Sequence, residues 1–85
     1  MVLSPRERAS LKGRAHGLEP GVHVGHAGVT DAVVRETDRA LTAHELIKIR
    51  VGAADRDDRA TVVADLCEKT GAEHVQSVGR ISVLW

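Results

Sequence analysis

Val22-His23-Val24-Gly25-His26-Ala27-Gly28-Val29-Thr30-Asp31 is the stretch that decides the architecture. Val22-His23-Val24 alternates apolar and polar residues, as a short half-buried strand does. Gly25 closes it. Thr30 is a good N-cap, and Asp31 suits the positive end of a helix dipole. A helix is therefore predicted from there to about His44, with Val33, Ala40 and Leu41 on its apolar stripe. A strand that turns through a short glycine-bounded loop into a helix is the opening of an α/β arrangement. The next strand is the clearest in the chain. In Leu46-Ile47-Lys48-Ile49-Arg50-Val51, Ile47, Ile49 and Val51 point one way and Leu46, Lys48 and Arg50 the other.

Working outward, Ser4-Pro5-Arg6-Glu7 reads as an N-cap serine, a proline at the first helical position and a capping-box glutamate. Leu11, Ala15 and Leu18 recur at helical spacing, and Gly17 with Glu19-Pro20-Gly21 ends that helix. Asp55 offers a cap for a third helix, whose buried stripe is Val62, Val63, Leu66 and Cys67. Gly71 sits where a left-handed residue is wanted. Runs Glu73–Val78 and Ile81–Trp85 follow, joined by the two-residue turn Gly79-Arg80. The fold class is α/β (α+β): α-β-α-β-α-β-β, a mixed four-stranded sheet covered by helices. Strands separated by helices are expected to be parallel neighbours, and the last two an antiparallel hairpin.

The 85 residues bound this to one domain, 1–85. The core must be aliphatic, because the chain has no Phe or Tyr and one Trp. A single cysteine, Cys67, allows no intrachain disulfide, which points to a reducing, cytoplasmic setting. No apolar run is long enough to cross a bilayer, so no membrane partner is expected. Net charge is zero, which argues against attachment to a polyanion by bulk charge alone. The first 28 residues are nevertheless basic: Arg6, Arg8, Lys12 and Arg14 stand against Glu7 and Glu19.

The candidate site is Gly25-His26-Ala27-Gly28 with Thr30. Glycines let a ligand approach the main chain, and the open N–H groups of a helix start attract anions. A nucleic-acid phosphate fits such a place, and KH modules clamp single strands with a G-x-x-G loop. The alternative is a tight turn with no ligand. Arg8, Lys12, Arg14 and His16 offer a phosphate-contacting surface, or else a solvated helix face. Arg35 and Arg39 form a ridge leading away from the loop, unless Asp31 simply pairs with Arg35. Lys48 and Arg50 make one strand face wet or anion-binding, and Arg80 sits at a hairpin tip. The five histidines lack zinc-site spacing. No nucleophile–histidine–acid pattern stands out. Hence no metal, no cofactor and no catalytic residue is expected, and the chain reads as a non-enzyme.

Several blocks in register resemble the CRM (chloroplast RNA splicing and ribosome maturation) domain, closest to its stand-alone bacterial YhbY-like members. They are Leu11-Lys12-Gly13-Arg14-Ala15-His16; Pro20; Val24-Gly25-His26-Ala27-Gly28-Val29-Thr30; His44-Glu45-Leu46-Ile47-Lys48-Ile49; Thr70-Gly71-Ala72; and Val75-Gln76-Ser77-Val78-Gly79-Arg80. The resemblance runs from about Leu3 to Trp85. It implies the same element order, a fold similar to the C-terminal domain of bacterial translation initiation factor three. It also implies RNA binding through the G-x-x-G loop and neighbouring basic residues, and association with precursors of the large ribosomal subunit. The partner expected is ribosomal RNA or a precursor large subunit, bound by a monomer with Trp85 as the one stacking candidate. The competing readings are an adaptor that docks on a ribosomal protein or assembly factor, and a small metal-dependent hydrolase.

Overall fold

The computed structural model describes residues 3–85; Met1 and Val2, the first of the expected 1–85 span, lie outside them. The elements run α1 (Pro5–Ala15), β1 (Pro20–Val24), α2 (Asp31–His44), β2 (Ile47–Val51), α3 (Arg56–Thr70), β3 (His74–Val78) and β4 (Ile81–Leu84). This is the expected order.

Each helix starts where local chemistry puts it. Glu7 N–H donates to the Ser4 hydroxyl at 3.1 Å, and Ser4 N–H donates to the Glu7 carboxylate at 3.0 Å. This completes the capping box and holds the Glu7 carboxyl below its ordinary range. Thr30 accepts from Val33 N–H at 3.2 Å to start α2. Asp55 accepts from Asp57 N–H at 2.7 Å to start α3. The end of α3 is Gly71 at φ 75. Leu18 falls beyond α1 and is 36% exposed, so the apolar period of that helix stops at Ala15.

The sheet order is β1-β2-β4-β3. β1 and β2 are parallel, with His23 beside Arg50 and Val24 beside Val51. β4 is antiparallel to both β2 and β3. This corrects the expectation that β2 and β3, joined through a helix, would be neighbours: β4 inserts between them. Burial gives the reason. Ser82, Val83 and Leu84 are all buried, as a central strand requires, whereas β3 exposes His74, Ser77 and Val78 and tolerates the edge.

The two sheet faces are covered unequally. Val22, Val24, Ile47, Ile49, Val51 and Leu84 pack under α2 and α3 with Val63 and Leu66. Val22, Ile49, Leu66 and Leu84 are fully buried, each worth about 1.5–3 kcal/mol of transfer free energy. Thr37 is fully buried on α2 as well, its hydroxyl donating to Val33 O at 2.8 Å. The opposite face carries a smaller cluster, Leu3, Leu11, Ala15, Leu46, Val75 and Val83, with Trp85 against it. α1 therefore covers only part of that face. Beyond it, Arg50 and Val78 remain exposed on either side of Ile81.

Candidate nucleic-acid interface

Three turns meet at one end of the sheet. Gly52 N–H, just after β2, donates to Val24 O at 2.8 Å, and Val51 N–H donates to Arg80 O at 2.8 Å. The Gly25–Gly28 loop, the β2–α3 connection and the Gly79-Arg80 hairpin tip thus lie side by side at the carboxyl ends of β1 and β2. Ligands of open α/β sheets bind at such ends. The fit there is close: a Cβ at Gly52 would stand 3.2 Å from Val24 O, so the backbone would have to give slightly.

Within the loop, Gly28 N–H donates to Gly25 O at 3.1 Å and Thr30 N–H donates to Gly28 O at 3.1 Å. Gly28 takes φ 74, a conformation costly for any residue with a Cβ. These two amides are spent inside the turn. The N–H groups of His26, Ala27, Val29, Asp31 and Ala32 have no acceptor among the described residues. Gly25, His26 and Ala27 are exposed, and nothing lies within 4 Å of a Cβ built at Gly25 or Gly28. The loop is open main chain at a helix mouth, suited to an anion.

The expected basic residues divide into near and far. Arg35 is exposed about 7 Å along α2 from the Thr30 cap, and Arg39 about 13 Å along it. Among the described residues Arg35 forms no ion pair with Asp31. Arg14 lies at the other end of the sheet. Its guanidinium is 5.4 Å from the centre of the Trp85 ring, and it lines a cavity with Leu18, His44 and Leu46, where β1 and β2 begin. Trp85 is thereby packed between Arg14 and the cluster of Leu3 and Leu11. Arg8 donates from Nη1 to the carbonyls of His74 and Val75, the latter at 3.0 Å, so it ties α1 to the edge strand. Lys12 is exposed on the same helix. His16 stands over the uncovered sheet face with Lys48, Val78 and Ile81. Arg50, which stands opposite His23 across the parallel ladder, and Arg80 at the hairpin tip lie at the same sheet end as the loop. The alternation that exposes Arg50 on β2 and the place of Arg80 in the two-residue turn were the available signal.

Among the described residues no three His, Cys, Asp or Glu side chains converge as metal ligands, and no helix is long and apolar enough to cross a membrane. Cys67 is half-buried against the core; burial, and then Glu73, push its thiol pKa up, away from nucleophilic use.

Known proteins share the sequence pattern and the fold of this chain. Residues 3–85 match the family model described as the CRS1 / YhbY (CRM) domain. A Haemophilus influenzae protein named "RNA-binding protein" is 41% identical over 84 residues, covering 99% of this chain and 85% of the relative. In Pseudomonas aeruginosa, "Probable RNA-binding protein PA4753" is 35% identical over 85 residues, covering 100% of this chain and 82% of the relative. The solution structure of SAV1595 from Staphylococcus aureus superposes with a TM-score of 0.88 at 28% identity, covering 99% of this chain and 88% of that one. A family match over residues 3–85, with relatives 41% and 35% identical over nearly the whole chain, leads to one conclusion: this chain belongs to the CRS1/YhbY (CRM) domain family.

Proposed function

We propose that this chain is a non-enzymatic RNA-binding accessory protein of large ribosomal subunit assembly, which grips RNA backbone as a monomer at the Gly25–Gly28 loop. The observation that carries the reading is the set of N–H groups of His26, Ala27, Val29, Asp31 and Ala32 without an acceptor among the described residues, at the same sheet end as Arg50 and Arg80. Phosphate oxygens accept from those amides while the guanidiniums supply charge. With no Phe or Tyr and one Trp in the chain, recognition rests on backbone shape more than on base identity. The names of the relatives support RNA as the partner. The ribosomal assignment follows from the family resemblance.

Titration of labelled single-stranded RNA at several KCl concentrations tests this. Affinity should fall linearly with salt on a double-logarithmic plot, at a slope of about 0.7 per phosphate contact. The adaptor reading has one observation in its favour, the 67% exposure of Val78 beside Ile81. Salt-independent capture of a ribosomal protein, with no RNA binding, would decide for it.

A further inference from the structure

We propose that the cavity between the start of α3 and the β3–β4 hairpin is a second phosphate site, taking an RNA phosphodiester a few nucleotides along from the one at the glycine loop. The proposal rests on the RNA reading above and adds the path of the strand. The cavity measures about 360 Å³ and is lined by Arg56, Arg59, Ala60, Ser77, Gly79 and Ser82. Two guanidiniums and two hydroxyls around one opening match the charge and the acceptor oxygens of a phosphate.

The parts are held in place by the fold. The two-residue turn sets Ser77 opposite Ser82, with their hydroxyl oxygens 2.8 Å apart. His74 Nε2 lies 2.7 Å from the Ser77 hydroxyl and steadies the pair from behind. Either hydroxyl can rotate its proton into the cavity when an anion arrives. Arg59 Nη1 donates to Ala53 O at 3.1 Å and to Ala54 O at 2.6 Å, which fixes its guanidinium and leaves its other nitrogens for a ligand. Arg56 is exposed and makes no hydrogen bond or ion pair among the described residues. Arg56, Arg59 and Ala60 share one helix face, whereas Asp57 and Asp58 point about 100° and 200° away from Arg56. The Asp55 carboxylate is occupied by Asp57 N–H.

The location suits one continuous strand. The hairpin tip and the glycine loop are at the same end of the sheet, with β2 between β1 and β4. Two to three strand spacings separate them, about 10–15 Å. A single strand crosses that distance in a few nucleotides.

The test uses the full chain, an oligouridylate of about 12 nucleotides, and three variants: Arg56→Gln, Ser77→Ala and Lys69→Gln. Lys69 is a remote exposed cation paired with Asp65, so its variant controls for bulk charge. Arg56→Gln should weaken binding about three- to tenfold and lower the salt slope by about 0.7, one phosphate contact. Ser77→Ala should weaken binding about two- to fivefold, as for the loss of one hydrogen bond. Lys69→Gln should leave the slope unchanged. An Arg56→Gln variant with the wild-type slope, alongside a glycine-loop variant that no longer binds, overturns the second site and spares the RNA reading. A wild-type chain that does not bind the RNA overturns both. In a parallel arm, inorganic phosphate at constant ionic strength is followed through the Gly79 and Ser82 amide resonances. Shifts lost in Arg56→Gln, with no change in the RNA slope, would assign the cavity to a free phosphate and overturn the RNA path.

Discussion

Replacing Gly25 and Gly28 together by aspartate should abolish RNA binding while leaving the domain folded. The stability side can be worked from the loop. Nothing lies within 4 Å of a new Cβ at either position, so no clash arises. Gly25 has an ordinary φ and carries no strain penalty; Gly28, at φ 74, costs about 1–2 kcal/mol when it gains a side chain. A domain of 85 residues has about 4–13 kcal/mol in hand. The double variant should therefore fold, with its melting temperature lowered by about 5–15 °C. On the binding side, each new carboxylate sits about 5 Å from a phosphate held at the open amides. Repulsion at that distance is about 0.8 kcal/mol in bulk water and about 3 kcal/mol at a protein surface. Two such terms weaken binding at least about fifteenfold, before any steric blockage of the main chain. Circular dichroism establishes the fold, and fluorescence anisotropy with labelled RNA reads the affinity. A folded double variant whose Kd stays within about twofold of wild type would refute the assignment of the loop.

Three further outcomes bear on the scaffold. Thr37→Val should change stability by less than about 1 kcal/mol in urea, because it swaps a hydroxyl for a methyl of the same shape and Val33 O keeps its helical partner; a loss above about 2 kcal/mol would show that the hydroxyl matters more than this. Glu45 occupies φ 64, ψ −48, with Leu46 N–H donating across it to His44 O at 2.7 Å, a positive-φ γ-turn. Glu45→Gly should relieve strain of about 1–3 kcal/mol against about 0.5–1 kcal/mol of extra unfolded-state freedom, so melting should rise by several degrees; a fall contradicts the strain. Burial, and then the Arg8 guanidinium, hold His74 below its ordinary range. The unfolded chain takes up that proton first, so the contribution is complete above about pH 6.5 and is lost as pH drops from there towards the lowered native value. His74→Gln should flatten this part of the stability profile, and an unchanged profile would exclude His74 as its source.

What could be read from the chain follows a physical division. Caps were legible because they are local: Ser4 with Glu7, Thr30, Asp55 and Gly71 act within three or four residues of where they stand. The insertion of β4 between β2 and β3 was not, because strand order is chosen by long-range burial. A hint was present in Ile81-Ser82-Val83-Leu84, which is more apolar than His74-Val75-Gln76-Ser77-Val78 and better fits a central position. The glycine loop was legible as a place, but not in its amide use: the bonds from Gly28 and Thr30 depend on backbone angles that composition does not encode. The basic residues were the least legible. Arg8 and Arg14 look like any solvated cations in sequence. Only the packing of α1 on the far part of the sheet turns one towards carbonyls of β3 and the other onto Trp85.

On the proposed reading, that redistribution would let a chain of zero net charge hold a polyanion. With twelve basic and twelve acidic residues, long-range attraction is small, and steering cannot set the orientation of approach. Binding must then be decided at contact distance. Contact is what the loop end offers: unpaired amides on α2, Arg50 and Arg80 from two adjoining strands, and Arg56 at the head of α3. Of the acids at this end, Asp55 is already a helix cap, and Asp31 stands in the first turn of α2. Some cations elsewhere are withdrawn into structure, as Arg8 is, or balanced locally, as Lys69 is by Asp65. If so, the salt dependence of RNA binding should count contacts at this end alone. Three phosphates give a slope of about 2, and neutralising Lys69 or Lys12 should leave it unchanged. A slope that tracks total charge wherever it is removed would mean that the neutral surface binds diffusely, and that the sheet end has no special part in it.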